Sequence, residues 1–210
     1  MNDRNAEVDG TSDRDQAERD HPGSGPLRGE RQQLIARLRT VFERNGYAGA
    51  TFSLLSAASG LGRATLYHHF PGGKQDMAEA LLADAVQEFE RAAIAPLLGH
   101  EKPAARLAAF VDGFARYVHD GHGQCLLAVF AQGDAQARLG PAVAGHLQRW
   151  TGLLEMTLAA AGLGGKRARR LAEELLDGLY GGLVVGKMSG DSEHFLRAHK
   201  RALRRLEKAI

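Results

Sequence analysis

The sequence is poor in the residue types on which several classes of protein depend. It contains one cysteine, Cys125, which excludes an internal disulfide framework and favours a reducing compartment. Aromatic residues make up only 6% of the 210 positions, whereas alanine, leucine and glycine are abundant. This balance favours helices that pack closely through small side chains over a β-sandwich.

Long apolar runs and catalytic motifs are also absent. The longest apolar runs, such as residues 126–131, are too short to cross a bilayer. The polar N-terminus has no apolar core of a secretion signal. No phosphate-binding glycine loop and no set of nucleophile, base and orienting acid is visible. We therefore expect a cytoplasmic protein that is not an enzyme, has no membrane association and requires neither a cofactor nor a metal.

Two histidine pairs leave a metal site as a weaker alternative. His68 and His69 are adjacent, so on a helix they point about 100° apart and do not easily share one ion. His119 and His122 lie near Cys125, and imidazole and thiolate are good zinc ligands. A helix end beside a buried thiol explains the same residues. A redox role of Cys125 stays open. No basic neighbour in sequence supports it by lowering the pKa of the thiol.

The net charge of +2 conceals an uneven distribution. Residues 1–28 hold seven acidic and four basic side chains, whereas residues 28–74 hold seven basic and two acidic ones. The last fifteen residues hold six Lys or Arg and one Glu. Solvated helix faces explain either basic region alone, and a nucleic-acid partner explains the first region as well.

Helical patterns begin after a polar segment. Residues 1–27 have almost no large apolar side chains, so we expect a disordered tail. From about Arg28 a one-faced helix is predicted by the spacing of Leu34, Ile35, Leu38, Val41 and Phe42, and Asn45-Gly46 ends it. Thr51 is placed to cap a second, short helix. After the turn at residues 60–62, a third helix runs from Arg63 to Phe70 and ends at Pro71-Gly72-Gly73.

The rest of the chain continues the helical pattern. No stretch shows period-two alternation, so the predicted fold class is all-α. The predicted helices cover residues 75–98, 103–119, 124–137, 141–161, 166–188 and 193–209, with breaks at glycine or proline.

The third helix has two different faces. At 100° per residue, Leu66 and Phe70 fall together on a buried face, and Arg63 and His69 lie at its margins. The opposite arc carries Ala64, Thr65, Tyr67 and His68, which are small or polar enough to enter a major groove. Lys74 follows the helix-breaking residues at the start of the next helix, where its charge and the helix N-terminus both attract a phosphate.

The stretch TLYHHFPGGK, preceded by TFSLLSAASGLG, resembles the DNA-binding domain of the TetR/AcrR family of transcriptional regulators over residues 29 to about 76. The resemblance implies a helix-turn-helix domain at 28–75, with the motif at about 52–71 and a fourth helix from 75 that links the domains. It implies an all-helical effector-binding and dimerisation domain at 76–210. It also implies a homodimer on a palindromic operator, which usually represses until a small molecule releases the DNA.

The family's DNA contacts carry over to this chain position by position, and the face argument adds His68. The DNA-binding candidates are Thr51, Ser53, Arg63, Thr65, Tyr67, His68, His69 and Lys74. The chain departs from the common pattern at the turn, where Leu61-Gly62 replaces Val-Ser, and at Ala64, where many members have Gly. The extra residue in Pro71-Gly72-Gly73-Lys74 resembles the LmrA/YxaF-like branch, whose members regulate drug-efflux or detoxification genes.

Effector and dimer residues are inferred rather than read directly. The aromatic-rich, charge-poor middle helices suit a hydrophobic effector, with candidates Phe89, Phe110, Phe114, Tyr117, Phe130, Trp150, Met156 and Tyr180. Taken singly, each candidate fits ordinary core better than a pocket wall. The resemblance implies a four-helix dimer interface built from the last two long helices. The glycine stripe and the apolar face of these helices place it at Gly178, Gly182, Gly186, Phe195, Ala202 and Leu206. The stripe also fits a pocket floor.

The alternative function is a sequence-specific or architectural DNA-binding protein with no small-molecule input, and it predicts a filled C-terminal core.

Overall fold

The computed structural model describes residues 26–210, with side chains from residue 29 onward, and these residues fold into helices without a strand. The predicted all-α class is therefore confirmed. The predicted tail of residues 1–27 lies outside the described residues except for 26 and 27, which already belong to the first helix. Within the described residues, no helix combines the length and apolarity that a bilayer crossing requires.

The N-terminal part consists of α1 (Pro26–Gly49), α2 (Phe52–Ser59) and α3 (Arg63–His69), and we call these three helices the head. The predicted apolar stripe of α1 is its buried face, and Leu38 and Phe42 are fully buried. The predicted stop at Asn45-Gly46 appears as a kink rather than an end, because Gly46 takes φ 66° and the helix resumes for one short turn. That backbone conformation is open to glycine and strained for other residues.

The body follows after α4 (Lys74–Phe89), which joins the two parts. Its helices are α5 (Pro103–Tyr117), the short α6 (Leu126–Phe130), α7 (Gly133–Ala160), α8 (Gly165–Ser189) and α9 (Glu193–Ala209). The head is packed directly onto the body, since the ring of Phe42 in α1 meets that of Phe130 in α6 at 5.8 Å. One continuous hydrophobic core therefore runs through both parts.

The predicted single helix over residues 75–98 is wrong in its last third. After α4 the chain forms a π-helix at Glu90–Ile94 and a 3-10 helix at Ala95–Leu98. Pro96 has no N–H to donate to the carbonyl of Ala92, so the regular ladder cannot continue there. The freed carbonyl oxygen of Ala92 accepts a long hydrogen bond of 3.5 Å from Arg116 on α5.

The predicted break at Gly140-Pro141 is also wrong. Helix α7 passes through Pro141 without interruption, and the break lies earlier, at residues 131–132 between α6 and α7. A proline inside a helix costs one hydrogen bond and about 3 kcal/mol. The continuous helix buries Leu139, Val143 and Trp150 along one side, and this packing outweighs the loss.

The body core is built around Phe89 at the end of α4. Its ring lies 4.5 Å from Trp150, 5.1 Å from Tyr117 and 5.5 Å from Phe114. Phe114 continues the cluster to Tyr180 at 4.9 Å. The indole N–H of Trp150 donates to the carboxylate of Glu90 at 3.2 Å, and Arg149 pairs with the same carboxylate. The π-helix is thereby anchored to α7.

Gly113 permits the close approach of α5 to the π-helix, which gives a stability prediction. A Cβ at residue 113 would collide with the carbonyl oxygen of Ala92 and lie 2.7 Å from the Cα of Ala93. Because both atoms belong to backbone, Gly113→Ala should lower the free energy of unfolding by about 1–3 kcal/mol. Urea unfolding followed by helical circular dichroism measures the change.

The matched control is Gly145→Ala, since Gly145 lies inside α7 and an added Cβ there has no neighbour within 4 Å. It should stabilise the protein by about 0.5–1 kcal/mol through helix propensity. Equal unfolding midpoints for the two variants would contradict the close approach of α5 to the π-helix.

Candidate nucleic-acid interface

Backbone caps and one buried serine fix the turn between α2 and α3. The hydroxyl of Thr51 accepts a hydrogen bond from the N–H of Leu54 at 3.4 Å, which confirms the predicted cap of α2. Gly60 ends α2 at φ 72°, the left-handed conformation that glycine adopts freely. Ser59 is buried, donates to the carbonyl of Leu55 at 2.7 Å and accepts from the N–H of Leu61 at 3.2 Å.

Helix α1 also holds this turn in place. The guanidinium of Arg37 donates to the carbonyl oxygen of Ser59 at 3.1 Å. Gly62 caps α3 without a side-chain hydrogen bond, because glycine has no side-chain oxygen. The two short helices are thus held by backbone geometry and by α1, as a helix-turn-helix requires.

The faces of α3 divide as the periodicity predicts. Leu66 is 0% and Phe70 1% exposed, and both pack into the core of the head. The other residues from Arg63 to His69 are exposed. Opposite the buried face, the helix presents Ala64, Thr65 and His68, which form the polar surface with the freest access to a groove.

An aromatic stack defines one flank of that surface. The rings of Phe52 and Tyr67 stack at 5.1 Å with an interplanar angle of 16°, and Tyr67 stays 38% exposed. The guanidinium of Arg63 lies 4.8 Å from the ring centre of Phe52 and 5.7 Å from that of Tyr67. Phe52 was missed by the sequence reasoning. It holds Tyr67 and Arg63 in position by stacking and by a cation–π contact.

His69 lies on the opposite flank. It borders a shallow groove of about 220 Å3 between α1 and the turn, together with Glu30, Arg37 and Leu61. Tyr67 and His69 therefore sit on different sides of α3, with Thr65 and His68 between them.

Lys74 is the first residue of α4, as predicted. Its ammonium donates to the carbonyl oxygen of Ala48 at 3.3 Å and lies 4.6 Å from the ring centre of Tyr47. Tyr47 was also missed, because nothing in the sequence indicates that the chain after the kink returns beside α4. The turn before Lys74 is closed by the carboxylate of Asp76, which accepts from the N–H of Gly72 at 2.6 Å.

The basic residues of the head are not equivalent. Arg39 pairs with Glu43 at 2.8 Å and with Glu88 of α4 at 2.5 Å, so it joins α1 to α4. Burial opposes its charge, but the hydrogen bonds that the guanidinium donates to Glu88 and Glu43 prevail and raise the pKa of Arg39. Arg63 and Lys74 lie at the two ends of the α3 region and carry its positive charge.

The effector candidates lie mainly in the packed body core. Six are buried, and Tyr180 is half-buried; Met156 is 69% exposed on α7. The buried six are Phe89, Phe110, Phe114, Tyr117, Phe130 and Trp150. A cavity of about 590 Å3 lies where the head meets the body, and none of the eight effector candidates borders it.

The dimer candidates mostly serve contacts inside the protomer. A Cβ on Gly182 would lie 2.5 Å from the Cβ of Ala198, so this glycine permits close packing of α8 on α9. Five of the six candidates are buried there: Gly182, Gly186, Phe195, Ala202 and Leu206. Gly178 faces outward with free space around it. The exposed apolar side chains of α8 are instead Val184, Val185 and Met188.

The histidine pairs and the cysteine give no ligand set. Among the described residues, no three His, Cys, Asp or Glu side chains are grouped to hold a metal ion. The thiol of Cys125 is buried, and burial raises its pKa, which opposes the reactive thiolate form.

Comparison with known proteins agrees with this geometry. Residues 34–81 match the family model described as bacterial regulatory proteins, tetR family. An uncharacterised HTH-type transcriptional regulator of Mycobacterium tuberculosis is 25% identical over 174 residues, which cover 79% of this chain and 88% of the relative. The HTH-type transcriptional regulator LmrA of Bacillus subtilis is 31% identical over 83 residues, covering 39% and 43%.

The whole fold is similar to that of solved regulators. A TetR transcriptional regulator from Chloroflexus aurantiacus superposes with a TM-score of 0.72 at 21% identity, over 84% of this chain and 93% of that one. The helix-turn-helix match and the helical fold confirm the predicted resemblance. Residues 34–81 therefore form a tetR-family DNA-binding domain, and the fold of the described residues is that of solved TetR regulators.

Proposed function

We propose that this TetR-family regulator acts in the cytoplasm as a homodimeric repressor that leaves a palindromic operator when a small hydrophobic effector binds. The observation that carries the proposal is the polar, exposed face of α3, presented by a rigid turn and followed directly by Lys74. Residues 28–75 would bind DNA, and residues 76–210 would bind the effector and the second subunit. The proposal assigns no catalysis and no cofactor.

Thr65 and His68 lie where α3 would face the base edges of a major groove. Arg63 and Tyr67 on one flank and His69 on the other would reach base edges or the sugar-phosphate backbone. At the start of α2, the exposed residues Thr51 and Ser53 sit beside free backbone N–H groups, which suit a phosphate. Thr51 accepts one hydrogen bond, and its O–H remains available to donate.

The similarity to LmrA over 83 residues supports the LmrA/YxaF-like branch suggested by the extra residue before Lys74. The alternative function, DNA binding without an effector, is favoured by one observation. The aromatic candidates of the body fill their own space by packing on one another.

The function is tested by selecting bound DNA from a random pool with the purified protein. A palindromic consensus with half-sites about one helical turn apart is expected. Its affinity is then measured with and without a panel of hydrophobic compounds. At least one compound should weaken binding fivefold or more, the lower range of allosteric coupling. A panel without any effect would favour the alternative function.

Lys74→Ala and Thr65→Ala should have different effects on DNA binding. Lys74→Ala removes a phosphate contact, so affinity should fall similarly on all sequences and the slope of log K against log salt should decrease by about one unit. Thr65→Ala should leave the salt slope unchanged and alter the selected operator. Fluorescence anisotropy across a salt series measures both.

Lys166→Ala on α8 is the matched control for loss of one positive charge, and it should change neither quantity. If Lys74→Ala and Lys166→Ala give the same salt slope, Lys74 makes no phosphate contact.

For the homodimer, we propose the exposed stripe of α8 as the subunit contact, with Gly178 and Gly181 beside Val185 and Met188. Val185 is 44% and Met188 83% exposed, on a helix that buries its other face against α7 and α9. Small and apolar residues on one face suit close packing of two identical helices across a two-fold axis.

Val185→Asp should shift the protein from dimer to monomer, because it places two carboxylates near the symmetry axis of an apolar contact. Sedimentation equilibrium measures the mass. Met156→Asp is the control, since Met156 is also an exposed apolar residue but lies on α7. A dimer of unchanged strength in Val185→Asp would remove this stripe from the interface.

A further inference from the structure

An open cleft of about 590 Å3 lies where the head meets the body, and it has no role in the packing described above. We call it the head–body cleft. Its walls come from residues 43–48 at the end of α1, from residues 124–134 around α6, and from residues 183–188 of α8. A molecule bound there would touch the DNA-binding head and the body at the same time.

The chemistry of the cleft indicates the kind of molecule that fits. Its apolar walls include Ala128, Val129 and Leu183, and amides border it at Asn45 and Gln124. The volume falls within the range of small-molecule sites, which combine apolar walls with a few polar groups.

The charges around the cleft cancel. Glu43 is paired with Arg39, and the ammonium of Lys187 donates to the carbonyl oxygen of His122 at 2.6 Å. Asp134 adds one carboxylate to the lining, and Lys187 adds one ammonium. The thiol of Cys125 in the wall stays protonated, since burial raises its pKa. A neutral molecule therefore loses the least solvation free energy on entering the cleft.

A buried hydroxyl lies behind the wall. Tyr117 is only 5% exposed, and its hydroxyl lies beside the thiol of Cys125, a weak hydrogen-bond partner. The wall of the cleft at Cys125 is therefore backed by a polar group of the body core.

The cleft also reaches a DNA-binding candidate. Tyr47 and Ala48 form its head-side wall, and these two residues hold Lys74 through the ring contact at 4.6 Å and the carbonyl contact at 3.3 Å. They follow the kink at Gly46, and Ala48 is exposed. Displacement of this short segment would move the ammonium of Lys74 without unfolding α4.

We propose that the head–body cleft is the effector site, and that it takes a small, neutral, apolar molecule with one polar group. Binding displaces Tyr47 and Ala48 and thereby withdraws Lys74 from the phosphate backbone. The inference deepens the proposed function, and its consequence at the operator rests on that function. The packed aromatic core of the body is then structural and not the primary pocket.

The site is tested with N-phenyl-1-naphthylamine, a neutral apolar amine whose fluorescence rises in apolar surroundings. It should bind the full-length wild-type protein, and Ala128→Trp, which fills the cleft from α6, should weaken binding at least tenfold. Ala144→Trp is the control, since Ala144 is exposed on α7 away from the cleft. No binding to the wild type, or equal binding to Ala128→Trp, would overturn the proposal.

Two further variants keep the test decisive. If Ala128→Trp fails to fold by circular dichroism, Ala128→Leu should still weaken binding about threefold or more, and unchanged binding there would equally overturn the proposal. Trp150→Phe changes the aromatic core, and it should leave the affinity within about twofold. A larger loss in Trp150→Phe than in the cleft variants would place the probe in the core and overturn the assignment.

Operator binding separates this inference from the proposed function. A compound that releases DNA from the wild type and from Ala128→Trp equally would leave the repressor function intact and remove the cleft as its site. Binding of the probe in the cleft, with no release of DNA by the probe or by any other compound, would retain the site and contradict the effector response. Release of DNA that is lost in Ala128→Trp and retained in Ala144→Trp supports both the repressor function and the cleft as the effector site.

Discussion

The structure depends on the way α1 is shared between head and body. The same helix that supports the turn between α2 and α3 places Phe42 against Phe130 of α6 and joins Arg39 to Glu88 of α4. The head is therefore not an independent module on a linker. Its orientation is set by apolar packing and one partly buried ion pair, and α1 also contacts the turn before α3 through Arg37. A regulator whose DNA affinity depends on the spacing of two heads requires a joint of this kind.

Much of the head could be predicted from sequence because its signals are local. Periodicity placed Leu66 and Phe70 inside, the cap at Thr51 set the start of α2, and the breakers before Lys74 set the start of α4. The residues that were missed act through contacts distant in sequence. Tyr47 meets Lys74 only because the chain is kinked at Gly46, and no pattern along the sequence encodes that approach.

The wrong predictions for the helices of the body have a different origin. Proline and glycine were read as helix breakers, yet α7 passes through Pro141 because its buried side compensates, whereas Pro96 does end the regular helix. The glycine stripe of α8 was correctly read as a site of close helix contact. The partner of Gly182 turned out to be α9 of the same chain, which shows that helix periodicity identifies a contact face without identifying what covers it.

The hydrogen bond between Trp150 and Glu90 has a practical consequence. Trp150 is the sole tryptophan of the chain, it is almost fully buried, and its indole N–H is tied to the π-helix that follows α4. Indole emission depends on local polarity and on neighbouring charge, and the carboxylate of Glu90 lies within hydrogen-bonding distance of the indole N–H, at 3.2 Å. The protein therefore carries its own optical reporter, without any label, at the point where the helix that leaves the DNA-binding part enters the body.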